Sequence, residues 1–269
     1  MMYRADLHCH STCSDGTDTP EELLHLAKEK GLSALSITDH DTLEAYSETL
    51  FAKSREIGVK LFTGIELSTR LDGYPIHLLG YAIQKTPELL TFCSEHQKRR
   101  QERNQKILEN FRRLSIIIEE EELGDSEKGT IGRPHIANVL VKKGVVSGIQ
   151  EAFDRFIGEG KPCFEPGRSF TPEETIEQIR HAGGKAFIAH PHLVRKKSIF
   201  KQLLKMPFDG IECYYGMFRH QEHPFLKLAK QRGWLVSGGS DYHGRVKPHI
   251  QLGGSWVDEG RVLEIFGES

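Results

Sequence analysis

Short apolar runs alternate with amphipathic stretches along the first third of the chain. Tyr3 to His10 reads as a strand. Thr19-Pro20-Glu21-Glu22 then opens a helix, with Thr19 as N-cap, Pro20 at the first helical position and Glu22 closing a capping box. Leu23, Leu24, Ala27 and Leu32 form its apolar side, and Gly31 ends it. Ser33 to Thr38 is a second strand, Leu43 to Ile57 a second helix stopped by Gly58, and Lys60 to Leu67 a third strand. This βαβαβ order implies a parallel sheet with right-handed crossovers. Thr69 to Tyr81 has the pattern of a hairpin turning at Asp72-Gly73.

Beyond Pro87 the pattern changes. A long charged helix runs to about Leu114, and its Gln97–Arg103 charge run reads as a solvated face. From Ser115 to about Gly160 no strand is convincing, and Arg133–Ala137 and Ile149–Ile157 read as short helices. Residues 89–161 are therefore expected to form a small helical insertion, a lid lying over a barrel made of residues 1–88 and 162–269. The alternation resumes with a second capping signature at Thr171-Pro172-Glu173-Glu174. Strands follow at Lys185–Ala189, Gly210–Cys213 and Trp234–Ser237, with a helix at His223–Arg232 before the last. The fold class is α/β.

The 269 residues allow one large domain or a domain with an insertion. A formal charge of -2 argues against an extended nucleic-acid-binding surface, though not against a small basic pocket. No apolar stretch is long enough to span a bilayer. Arg4, Asp6 and His8 interrupt any signal-peptide h-region, so a cytoplasmic protein is expected. The five cysteines form no paired framework and read as reduced thiols.

The candidate chemistry lies at the strand ends. His8 and His10, two apart on a strand, point the same way, and Cys9 between them points away. Asp39 and His40 end the second strand and Glu66 the third. His77 lies on the hairpin, His190 ends a later strand, and Asp241 and His243 follow the last. Barrels of parallel strands carry function at these C-terminal ends. A lone buried histidine is more often a satisfied core residue, but recurrence at one end of successive strands is hard to reconcile with that reading. His25, His96, His181 and His249 share no such pattern and are read as solvated or core-satisfied. A set rich in imidazole and carboxylate and poor in thiolate suits Mn, Fe or Zn and hydrolysis, rather than structural zinc.

Asp6-Leu7-His8-Cys9-His10-Ser11 with Ser14-Asp15-Gly16, Ile37-Thr38-Asp39-His40-Asp41, Gly64-Ile65-Glu66, Ala189-His190-Pro191 and Ser240-Asp241-Tyr242-His243 resemble, in order and spacing, the motifs of the polymerase and histidinol phosphatase (PHP) family. The resemblance implies a distorted (β/α)7 barrel with a trinuclear site of divalent ions. By the same resemblance, His8, His10, Glu66 and Asp241 hold a first ion. Glu66 bridges to a second, also held by His77 and His190, and Asp15, His40 and His243 hold a third. Asp15, His40, Glu66 and Asp241 are then the catalytic set. Gly132-Arg133-Pro134-His135-Ile136-Ala137 and Ile76-His77-Leu78-Leu79-Gly80-Tyr81 resemble the stand-alone members acting as 3′,5′-nucleotide bisphosphate phosphatases and 5′→3′ exoribonucleases.

Arginine offers a fixed fork of donors that matches phosphate oxygens. Arg133 and Arg168, with His135 as a weaker third, are the candidate substrate ligands; Lys161, Arg195 and Arg219 are less favoured. His192 and His220 are available as proton donors, and neither is assigned. The leading expectation is metal-dependent hydrolysis, by a metal-activated water, of a phosphate ester of a 3′,5′-bisphosphonucleotide or a 5′-phosphorylated short RNA. The first alternative is histidinol-phosphate phosphatase, which calls for a carboxylate near the substrate amine; Glu159 and Glu165 are available. The second is a non-catalytic, metal-stabilised interaction module, disfavoured because the last motif lies about two dozen residues from the C-terminus, with nothing attached.

Overall fold

A computed structural model describes residues 2–124, 130–218 and 220–267. Arg219, one of the secondary cation candidates, lies outside them. Seven strands form one sheet in chain order: β1 Ala5–Cys9, β2 Ala34–Ile37, β3 Lys60–Leu71, β4 Tyr74–Tyr81, β5 Lys185–Ile188, β6 Gly210–Tyr215 and β7 Leu235–Gly239. β1–β2–β3 and β5–β6–β7 run parallel, while β4 is antiparallel to both its neighbours. The ring closes through strand-end backbone bonds, His10 N–H to Tyr242 O at 2.9 Å and Asp241 N–H to His8 O at 2.8 Å. It is a distorted (β/α)7 barrel.

The local signals act as read. Helix α1 (Pro20–Glu29) starts in the Thr19/Glu22 capping box, and the helix Pro172–His181 starts in its Thr171/Glu174 counterpart. Asp72 and Gly73 take φ of 48° and 76°, the two left-handed residues a tight hairpin turn needs. Helix α2 (Glu48–Ile57) begins later than the periodicity suggests. Ser47 is its N-cap, and Tyr46 is held outside it, its hydroxyl donating to Ile37 O at 2.6 Å and accepting Gly64 N–H at 2.9 Å. β3 is longer than expected, because pairing with β4 carries it to Leu71.

Helix α3 (Pro87–Arg113) joins two apolar clusters. Its Leu89, Phe92 and Cys93 sit in the barrel core, whereas Ile107, Leu108 and Phe111 build a second cluster with Ile136, Leu140, Ile157 and Cys163. That cluster includes residues of α4 (Arg133–Lys142) and α5 (Ile149–Ala152), the latter continued by a π turn over Phe153–Ile157. Helices α6 (Pro172–His181), α7 (Lys197–Leu203), α8 (His223–Arg232) and α9 (Glu259–Phe266) complete the outer layer.

β7 approaches β1 closely enough to require glycine. A Cβ on Gly239 would stand 2.4 Å from His8 N and 2.5 Å from His8 Cβ. Gly239→Ala is expected to cost about 1–3 kcal/mol through overpacking against backbone, read as a lowered urea midpoint; an unchanged midpoint would refute the close approach.

Candidate metal centre and its anion pocket

The C-terminal ends of the parallel strands, with His77 from antiparallel β4 and Asp15 from the loop after β1, bring all nine candidate ligands to one place. Glu66 is the hub. Its Oε2 lies 3.2 Å from His8 Nε2, 3.1 Å from His10 Nε2 and 3.3 Å from His40 Nδ1. Its Oε1 lies 2.9 Å from His77 Nδ1 and 2.8 Å from His190 Nε2. Asp241 Oδ1 faces His8, His10 and His243 at 3.5, 3.4 and 3.5 Å. Asp15 faces His243 Nε2 at 3.3 Å and His10 Nδ1 and His40 Nε2 at 3.8 Å.

Among the described residues three groups have ligand atoms close enough to share an ion: His8/His10/Glu66/Asp241, His10/Asp15/His40/His243 and His40/Glu66/His77. The first has the composition that the family resemblance implies. In the second, His10 joins Asp15, His40 and His243 by turning its other ring nitrogen to Asp15. The third pairs Glu66 and His77 with His40, while His190 reaches Glu66 from outside that group.

The residues fit divalent cations on a structural ground. His10 Nε2, Asp15 Oδ1 and His40 Nδ1 are buried without a hydrogen-bond partner, and buried polar atoms of this kind call for one. Burial alone would lift the Asp15 carboxyl, but His243 and His40 outweigh it and hold it well below the usual range. Burial likewise opposes charging of His10, and the Asp241 and Glu66 carboxylates overcome it, raising His10 to about 9. The carboxylates are thus ionised and draw positive charge to the cluster.

Local backbone geometry serves the site. His190 and Asp241 take φ of 27° and 58°, a conformation uncommon outside glycine that turns the chain sharply at the strand end. Asp39 is not one of the grouped ligands. It accepts Ser11 N–H at 2.8 Å, Ser11 Oγ–H at 2.6 Å and Ser14 Oγ–H at 2.5 Å, which pins the loop that carries Asp15. Cys9 Sγ points to Ser36 O, away from the imidazoles, as strand alternation requires.

A cavity opens beside Asp15, His40 and His77, and Arg70, Arg99, Arg100, Arg103, Arg133 and Arg168 line it. The Gln97–Arg103 run is therefore not simply a solvated face. Arg99, Arg100 and Arg103 occupy the stretch of α3 between its two apolar anchors, where the helix crosses the mouth of the site. Their spacing continues the buried row His96, Asn104 and Ile107, and that periodicity was the signal available in the sequence. Arg100 is fixed by Asp41 Oδ2 at 2.6 Å and Ser68 Oγ at 2.6 Å. His96, on the cavity wall, lies with Nδ1 3.3 Å from Asp41 Oδ1.

Among the described residues no carboxylate pairs with Arg103 or Arg133. Burial, then Arg100 and Arg133, pulls Arg103 well below the usual guanidinium range; burial, then Arg100 and Arg70, lowers Arg133 to about 10. Arg133 also lies over the Phe153 and Phe164 rings and donates to Ile157 O at 3.2 Å. Asp41 and Glu159 offset these charges only in part, and the arginine-lined cavity keeps a positive character that a bound anion would relieve. Arg168 is exposed at the rim. His135 is absent from the wall: its Nδ1 accepts Gly132 N–H at 3.0 Å, at the start of α4. Lys161, Arg195 and His220 are exposed off the cavity, and the His192 ring packs against Phe225 and Tyr215.

A profile of the PHP domain matches residues 6–161. A 5'-3' exoribonuclease of Haemophilus influenzae is 33% identical over 98% of this chain and 96% of its own. The chain belongs to the PHP domain family. A 3',5'-nucleoside bisphosphate phosphatase of Chromobacterium violaceum is 28% identical over 90% of this chain and 88% of its own. A solved Bifidobacterium adolescentis structure, assigned as a metal-dependent phosphoesterase, superposes with a TM-score of 0.87 at 30% identity, covering 97% of this chain and 94% of that one. This PHP-domain chain is a metal-dependent phosphoesterase. No helix among the described residues is long and apolar enough to cross a membrane.

Proposed function

We propose that this PHP-domain enzyme hydrolyses a phosphate ester of a nucleotide carrying more than one phosphate, of the 3′,5′-bisphosphonucleotide or 5′-phosphorylated short-RNA type. The observation that carries this reading is the arginine-lined cavity opening on Asp15, His40 and His77. One phosphate at the metal centre leaves those guanidiniums to hold a second. The named activities of the Haemophilus influenzae and Chromobacterium violaceum relatives point the same way.

Three divalent ions of the Mn, Fe or Zn class suit the donor set. His8, His10, Glu66 and Asp241 would hold one; Glu66, with His77 and His190, a second; and Asp15, His40 and His243 a third. The geometry offers His10 and His40 as further shared ligands. Such ions, when bound, polarise a phosphoryl oxygen and make a water nucleophilic near neutral pH. The chain's own residues do the rest. Arg103 and Arg133 draw the phosphates in, and Asp41 keeps the Arg100 fork aimed. The described part of residues 89–161 beyond the first turns of α3, which pack in the barrel core, acts as a lid over the site and carries most of the arginines. Arg168 guards the rim, and His135 acts by fixing the start of α4. The five free cysteines suit a reducing, cytoplasmic setting.

Histidinol phosphate fits less well, because its amine needs a carboxylate. Among the described residues Asp15 is the one carboxylate on the cavity wall, and it faces His40 and His243. Glu159 is exposed, and Glu165 accepts from Asn110 Nδ2 at 3.0 Å. The Mn-loaded protein should turn over a 3′,5′-bisphosphonucleoside or a 5′-phosphorylated oligoribonucleotide well ahead of histidinol phosphate in a side-by-side assay. A preference for histidinol phosphate would overturn the reading.

A further inference from the structure

β6 contributes none of the ligands named above, yet it touches three of them, His8, His190 and Asp241. The strand has a register shift between Glu212 and Tyr214. In an unbroken strand residues three apart face opposite sides. Here the bulge lets both Glu212 and Tyr215 reach the ligand cluster, as bulges beside active sites do. Glu212 is fully buried; its Oε1 lies 2.8 Å from His8 Nδ1, and its Oε2 accepts His190 N–H at 2.6 Å. The Tyr215 hydroxyl donates to Asp241 Oδ2 at 2.8 Å, and Lys247 Nζ donates to the same oxygen at 2.6 Å.

Each contact occupies one atom of a ligand and leaves the other free. Glu212 presents a carboxylate oxygen to Nδ1 while its other oxygen accepts His190 N–H, an arrangement that holds the His8 proton on Nδ1 and leaves Nε2 with its lone pair. His8 Nε2 is the atom that faces Glu66 and Asp241. Asp241, with Oδ2 occupied twice, presents Oδ1 to His8, His10 and His243. We propose that Glu212 and Tyr215 are positioning residues of the metal centre: Glu212 fixes the ligating tautomer of His8, and Tyr215, with Lys247, restricts Asp241 to one ligating oxygen. The inference rests on the reading of His8, His10, Glu66 and Asp241 as ion ligands. It makes β6 a determinant of ion affinity without contact to the ion.

The test uses Glu212→Gln, whose amide can donate to Nδ1 and so move the proton to Nε2, and Tyr215→Phe, which removes one hydroxyl. The unaltered chain and both variants are loaded with Zn or Mn, dialysed against a graded series of chelator, and assayed for ion retained per chain. The metal-free forms are melted in parallel. Glu212→Gln should release part of its metal at about 10- to 100-fold lower chelator, the scale of losing an outer partner of a ligand, with Tyr215→Phe shifted in the same direction but less. The metal-free melting points should stay together. Equal retention by Glu212→Gln and the unaltered chain overturns the proposal, as does a metal-free melting point that falls in step with retention, since Glu212 would then be a structural buried carboxylate. If Glu212→Gln does not fold, undiminished retention in Tyr215→Phe overturns it. An unaltered chain that takes up no metal refutes the ligand reading itself, a distinct result.

Discussion

Glu66→Gln is expected to lower turnover by on the order of 10³-fold or more, with the barrel still folded. Glu66 faces His8, His10, His40, His77 and His190 between 2.8 and 3.3 Å, and no other carboxylate among the described residues faces as many of the candidate ligands. Glutamine keeps the shape but loses the charge and one acceptor oxygen, which removes a bridge between ions. The fold does not depend on that charge. β3 is paired along its length with β4 and with β2, and Ile65 and Leu67 on either side are packed in the barrel core. Uncharged imidazoles can remain without their counter-ion, so a buried unpaired charge is not forced on the variant. Turnover with excess Mn, metal per chain and the circular dichroism melt check the prediction together. Unaltered kcat would remove Glu66 from the reaction, and loss of folded protein would make the cluster structural.

Arg103→Met should separate binding from stability. The guanidinium lies on the cavity wall close to Arg100 and Arg133, with no carboxylate partner among the described residues, and donates to Asn104 Oδ1 at 3.0 Å. A hydrogen bond to a charged group contributes about 1.5–3 kcal/mol, so KM for a bisphosphorylated substrate should rise by about 10- to 100-fold. Folding stability should hold, because Arg103 is only part-buried and methionine keeps an apolar chain of similar length along the cavity wall. A rise in KM confined to the bisphosphorylated substrate, with a generic monophosphate ester unaffected, would assign Arg103 to the second phosphate. Unchanged KM for both would take it out of the substrate pocket. Arg133→Ala is a less clean probe, because Arg133 also covers the Phe153 and Phe164 rings.

Seven of the nine candidate ligands were legible because each ends or follows an apolar run, whereas Asp15 and His77 were marked mainly by the family resemblance. A strand's two-residue period and its C-terminal end can be read locally, so His8, His10, His40, Glu66, His190, Asp241 and His243 declare their common location before any packing is known. The α1 and α6 caps and the Asp72-Gly73 turn were legible for the same reason, since the atoms that satisfy them lie within a few residues.

The arginine run on α3 was not. Charge alone reads as solvation, and only the packing of Leu89, Phe92 and Cys93 on the barrel and of Ile107, Leu108 and Phe111 on the second cluster draws Arg99, Arg100 and Arg103 across the mouth. Glu212 and Tyr215 were hidden by a bulge, which breaks the strand alternation used to assign faces. The sequence by itself determined the alternation of strands and helices, the common direction of His8 and His10 and the exclusion of Cys9 from among the ligands, because all three follow from local periodicity; the barrel came only from the family resemblance, and the antiparallel placing of β4 came from the structure. Tertiary structure decided which ligands share an ion, which arginines meet the phosphates and which ligand atoms face inward. Those depend on distances between residues far apart in the chain, set by barrel closure and by the clamping of α3 at both ends.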